Sequence, residues 1–82
     1  MELTVRFFAA ARAAAGTDQI VVGIDPSTTL GELESRLCRD NDELGRVLER
    51  SSYLRDEIAL TDRSQSLGHC TTLDVLPPFA GG

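Results

Sequence analysis

The residues best suited to chemistry stand at the end of the 82-residue chain, Pro77-Pro78-Phe79-Ala80-Gly81-Gly82. A carboxylate carried on two glycines has no Cβ beside it and accepts unusual φ/ψ, so it can pass down a channel too narrow for other residues. Fully extended, this stretch reaches roughly 20 Å. Pro77 and Pro78 fix φ at its base and send it away from the preceding strand in a set direction. Phe79 adds one large apolar side chain beyond that base. Such an arm suits delivery of the Gly82 carboxylate into the active site of another protein. Gly81 and Ala80 would give it passage, and Phe79 and Pro78 a hold on the partner. A terminal Gly-Gly by itself is no more than a loose end; its weight comes from the double proline and the strand before it.

Few other residues compete. His69 is the only histidine, and Cys70 is its neighbour. An adjacent pair cannot supply the three or four converging ligands that zinc needs, and no second base stands ready to orient a nucleophile. No metal site is expected, and His69 is read as a solvent-facing loop residue. Cys38 lies beside an apolar helical stripe and reads as a small core hydrophobe, whereas for Cys70 a surface position is open and no role is assigned.

A chain this short forms one domain and buries only about 60% of its unfolded surface, too little to enclose a deep active site. Thirteen acidic residues against eight basic ones give a formal charge of −5. An acidic surface repels phosphate backbones, which argues against nucleic acid, and it suits a basic partner surface. All the basic residues are Arg, so no side-chain amine is present to accept an isopeptide bond. No apolar run approaches membrane-spanning length, and the N-terminus lacks the layout of a signal peptide. The expectation is a soluble, cytoplasmic protein with reduced thiols.

The elements that must position the arm follow from periodicity. Residues 2–8 alternate as a strand, with Leu3, Val5 and Phe7 on one face and Thr4, Arg6 and Phe8 on the other. Arg6 and Arg12 are expected in solvent, with pairing to acidic groups on a partner as the alternative. Phe8, opposite the core face, is either covered by a second layer or exposed for a partner. The alanine run 9–15 closed by Gly16 predicts a short helix. Residues 18–24 form a second strand with Ile20, Val22 and Ile24 inward. Thr29 and Glu32 have capping-box spacing, ahead of the Leu30, Leu33, Leu37 stripe of the main helix. Asn41 or Asp42 caps a further helical stretch through Leu44, Val47 and Leu48. Tyr53-Leu54 and Ile58-Ala59-Leu60 read as short strands around a polar turn, and 72–76 as the last strand, Leu73 and Val75 inward. Pro77 ends the ladder. The order β-β-α-(α)-β-β-β predicts an α+β fold, a mixed five-stranded sheet packed on one main helix. With the first and last strands parallel at its centre, this is the ubiquitin-like β-grasp. The domain spans 1–76 and the extended tail 77–82.

On three segments the chain resembles the MoaD/ThiS sulfur-carrier family, and the MoaD type most. They are Val5-Arg6-Phe7-Phe8-Ala9-Ala10-Ala11-Arg12 leading to Gly16, Thr29-Leu30-Gly31-Glu32-Leu33, and Val75 through Gly82. The resemblance implies that the chain is the small subunit of molybdopterin synthase, with no active site and no bound cofactor of its own. A ubiquitin-activating-type adenylyltransferase (MoeB-like) would use ATP to adenylate Gly82, and a sulfur donor protein would convert it to a thiocarboxylate. A large subunit (MoaE-like) would then pass the sulfur to precursor Z, cyclic pyranopterin monophosphate. The alternatives are a carrier for thiamine thiazole or cysteine synthesis and a ubiquitin-like interaction module. The chain departs from the family at Arg55-Asp56-Glu57 and at Gly68-His69-Cys70-Thr71-Thr72.

Overall fold

The chain runs β1 (Glu2–Phe7), α1 (Ala9–Ala15), β2 (Gln19–Gly23), α2 (Leu30–Leu37), α3 (Asp42–Arg50), β3 (Ser52–Arg55), β4 (Ile58–Leu60) and β5 (Thr72–Leu76). The computed structural model describes residues 1–78, so Phe79, Ala80, Gly81 and Gly82 lie outside the described residues. The strands form one mixed sheet in the order β2-β1-β5-β3-β4. β1 pairs antiparallel with β2 and parallel with β5, the latter with Val5 opposite Leu73 and Phe7 opposite Val75. β5 therefore lies at the centre, antiparallel to β3 on its other side.

Alternation decides which face is buried, because successive strand side chains point to opposite faces. Leu3, Val5, Phe7, Leu73, Val75, Tyr53 and Leu60 turn to one side, where Ala11 of α1, Leu30 and Leu33 of α2, and Leu44 and Leu48 of α3 complete a single core. The helical layer is shared: α2, the expected main helix, sits together with α3, the expected further helical stretch, and α1 lies beside α3. Thr29 and Glu32 form the capping box in full, Thr29 Oγ1 accepting from the Glu32 N–H at 3.1 Å and Glu32 Oε1 from the Thr29 N–H at 2.9 Å. Asn41 is the cap of α3; its Oδ1 accepts from the Leu44 N–H at 3.0 Å while its Nδ2 donates to the Ala14 carbonyl at 2.8 Å. One side chain thus starts α3 and holds the end of α1 against it. Gly16 ends α1 at φ 78°, the left-handed region that favours glycine.

Both thiols belong to the core, to different depths. Cys70 is buried and Cys38 only half-buried. Leu67 and Cys70 turn inward from the long connection between β4 and β5, which is anchored by the Leu67 N–H on the Thr28 carbonyl at 2.8 Å. Burial pushes the Cys70 thiol up from its ordinary value, with the Asp56 charge adding to the effect. Cys38 sits against Gly45, which keeps α2 and α3 close: a Cβ there would lie 3.3 Å from the Cys38 Cβ.

The turn between β3 and β4 places Asp56 and Glu57 at φ 47° and 71°, positive at both central residues as a tight hairpin turn requires. Asp56 Oδ1 then accepts from the N–H groups of Thr71 at 2.9 Å and Thr72 at 3.0 Å and from both hydroxyls. These bonds favour the carboxylate and lower its pKa from the ordinary 3.8. A depressed folded value contributes stability that is fully present above the unfolded value and is lost as pH falls through the folded one. We therefore expect Asp56→Asn to lower the melting temperature at neutral pH and to flatten its fall below about pH 4, where the free carboxylate titrates. Thermal melts of both proteins from pH 7 to pH 3 check this; parallel curves would contradict it.

Candidate functional site at the end of the central strand

β5 delivers the chain to Pro77 and Pro78 at the middle of the sheet's end, and β1 ends beside it. The ladder runs one residue past the paired strands, with the Phe8 N–H donating to the Val75 carbonyl at 3.3 Å. Phe8 keeps an extended backbone, and Ala9 then turns the chain into α1 at φ 50°. A non-glycine residue in that region is strained by roughly 1–2 kcal/mol. The turn closes with the Phe8 carbonyl accepting from the Ala11 N–H at 3.0 Å and the Arg12 N–H at 3.4 Å. This sharp reversal is why Phe8 falls outside β1 and leaves its ring 40% exposed rather than covered by a second layer.

Phe8 and Pro78 are brought together. They line one apolar groove of about 500 Å³ with Ala9, Ala10, Ser52, Leu76 and Pro77. On the other side of the prolines a groove of about 490 Å³ is walled by Val47, Glu43, Arg46, Glu49 and Arg50 of α3. The base of the tail is thus a proline ridge, apolar on one flank and charged on the other. The other four expected site residues, Phe79, Ala80, Gly81 and Gly82, follow directly from that ridge in sequence and lie outside the described residues.

The outer face of the sheet corrects the reading of Arg6 as a solvated side chain. Arg6 and Asp74 are register partners on β1 and β5. Arg6 Nε and Nη2 donate to Asp74 Oδ1 at 2.6 Å and Oδ2 at 2.8 Å. The Asp74 side chain is 9% exposed, the Arg6 side chain 40%. The guanidinium also stands 5.9 Å from the centroid of the Phe8 ring, so Arg6 adjoins the groove that Phe8 shares with Pro77 and Pro78. A central strand is a poor place for Asp, and that misfit, set opposite an Arg, is the only trace the pair leaves in sequence. Arg12 makes a long 3.5 Å contact with the exposed Asp18.

Elsewhere, a polar cleft of about 550 Å³ separates α2 from α3. Two of its charged residues are engaged in holding the fold: Arg63 Nε donates to Glu34 Oε1 at 2.8 Å, and the Tyr53 hydroxyl donates to Glu34 Oε2 at 2.5 Å. Burial first and then Glu34 keep the Tyr53 phenol protonated. His69 is exposed at the turn before β5. No cluster of three or more His, Cys, Asp or Glu that could hold a metal occurs among the described residues. No helix among them is long and apolar enough to cross a membrane.

The strand order β2-β1-β5-β3-β4 packed on one helical layer is the ubiquitin-like β-grasp, with an apolar groove beside the exit of its central strand. Three solved structures share it. SAMP1 from Haloferax volcanii superposes with a TM-score of 0.80 at 22% identity, covering all of both chains. The HVO 2177 protein of the same organism gives a TM-score of 0.78 at 30% identity over all of this chain and 87% of that one. The protein–protein complex of subunits 1 and 2 of molybdopterin-converting factor from Helicobacter pylori contributes a chain matching at 0.69 and 20% identity, with both chains fully covered. No protein-family model and no curated protein matches the chain. By identity over its whole length the chain belongs to the family of the HVO 2177 protein.

The strain at Ala9 gives a test of this geometry. Glycine relieves roughly 1–2 kcal/mol of left-handed strain against a backbone-entropy cost of about 0.5–1 kcal/mol. Ala9→Gly should therefore raise stability by up to about 1.5 kcal/mol, whereas Ala10→Gly in the same helix should lower it by about 0.5–1 kcal/mol. Urea midpoints of the two variants check the opposite signs.

Proposed function

We propose that this chain is the sulfur-carrier small subunit of a molybdopterin synthase. One observation carries the reading: a central strand of the MoaD/ThiS-type fold leads onto the Pro77-Pro78 ridge, with Gly81-Gly82 beyond it. In this role the Gly82 carboxylate attacks the α-phosphorus of ATP in the active site of an adenylyltransferase and pyrophosphate leaves. Sulfide released by a sulfur donor protein then attacks the carbonyl carbon, the bond to AMP breaks, and Gly82 is left as a thiocarboxylate with AMP and a proton as the other products. Adenylate makes this step possible because it is a far better leaving group than oxide. The thiocarboxylate enters a large subunit, which transfers its sulfur to cyclic pyranopterin monophosphate, and Gly82 returns as a carboxylate. The complex of subunits 1 and 2 known from Helicobacter pylori supports a large-subunit partner.

In this cycle the chain supplies a delivered nucleophile and binding surface, while catalytic groups belong to its partners. Phe8 and Pro78 form the grip, with Phe79 continuing it, and Ala80 and Gly81 let the end pass. The likeness to SAMP1, the small archaeal modifier protein 1, favours a second reading, a ubiquitin-like modifier using the same activated end. The two readings share adenylation and differ in the acceptor.

Deleting Gly82 from the host's copy should abolish molybdenum-cofactor synthesis while the purified variant melts at the wild-type temperature. A C-terminal extension that blocks the carboxylate should do the same. If the deletion strain makes the cofactor normally and instead requires thiamine or cysteine, the molybdopterin reading is wrong. Loss of protein conjugates with normal cofactor levels would select the modifier.

A further inference from the structure

Among the described residues no helix covers the outer face of the sheet, and its centre is a charged pair rather than an apolar patch. Asp74 has both oxygens occupied by Arg6 and is nearly excluded from water. Arg6 is different. A guanidinium has five N–H donors in a fixed fork; Asp74 takes two of them, through Nε and Nη2, and the opposite edge, Nη1 with the second Nη2–H, is left without a partner among the described residues. The fork is already immobilised by the bidentate bond and by Phe8, so a second acceptor would meet a donor edge whose ordering cost is largely met.

A half-buried Arg–Asp pair adds little stability over two apolar side chains of similar volume, so packing alone does not account for it. It lies beside the exposed Phe8 ring, next to the groove at the base of the tail. We propose that Arg6 is an anchor on the docking face, taking a carboxylate side chain of the partner protein on its free edge while Phe8 seats in an adjoining apolar site. The complementarity is specific: on a chain of net charge −5, most of a partner's facing surface is best basic, and one acidic side chain set against Arg6 fixes the register. A second copy of the chain fits poorly, since each copy brings the same acidic surface. The inference rests on the carrier reading and names the chemistry of its docking partner.

Two double variants keep the position folded and change only what it displays. Arg6→Asp with Asp74→Arg retains an ion pair but presents a carboxylate outward; Arg6→Leu with Asp74→Leu presents neither charge. The probe is the host's large molybdopterin synthase subunit, titrated calorimetrically with the full chain, alongside thermal melts. Both variants should melt near the wild type. The leucine pair should bind about tenfold more weakly, and the exchanged pair more weakly still, as expected for a lost and then a repelled charge contact. If both bind within about twofold of the wild type, the anchor is refuted and the carrier reading stands. A wild-type chain that neither binds the large subunit nor becomes thiocarboxylated overturns both. A wild-type dimer that the exchange dissociates assigns the face to a second copy and overturns the inference.

Discussion

The parallel pairing of β1 with β5 is the constraint on which the rest depends. It joins the first strand of the chain to the last across Val5–Leu73 and Phe7–Val75, and parallel strands need a long crossover between them. Everything from α1 to the loop after β4 is that crossover. On the inner face the pairing places the most deeply buried side chains under the helices. On the outer face it sets Arg6 against Asp74. At its end it puts Phe8 beside Pro77 and Pro78, so the surface that surrounds the tail is assembled from both ends of the sequence.

Such a pairing is held only if the long connections are tied down, and three polar groups do this. Asp56 gathers the start of β5 to the β3–β4 turn. Asn41 joins α1 to α3. Glu34 receives Arg63 and Tyr53, linking the loop after β4 to α2, while Arg63 also donates to the Leu48 carbonyl in α3 at 3.2 Å. Each is a polar side chain satisfying backbone or charged groups that a small core cannot cover, and the described buried side-chain polar atoms all have partners. The outcome is a rigid base from which the prolines project.

Most of this was legible because the patterns are local. Alternation marked β1 and β5, leucine spacing marked α2 and α3, and the Thr29–Glu32 box set a helix start that the structure keeps to the residue. What escaped depends on pairing between distant segments. Asp74 reads as an outward residue until Arg6 is placed opposite it, and only then is its burial affordable. Leu67 and Cys70 lie in a connection with no periodicity, so nothing in their neighbours signalled that the loop folds inward. Phe8 could be left only as exposed or covered, because the left-handed turn at Ala9 that decides between them is a conformation alanine rarely adopts. The groove shared by Phe8 and Pro78 has the same origin: its walls are far apart in sequence and meet through the β1–β5 register.

The role proposed for this scaffold is to present Gly82 for activation. The most direct measurement is the intact mass of the chain after incubation with the adenylyltransferase, ATP and a sulfur donor of its host. The expected product is heavier by one oxygen-to-sulfur exchange, formed on the wild type and absent when Gly82 is deleted. A chain that retains only its carboxylate mass under those conditions would contradict it.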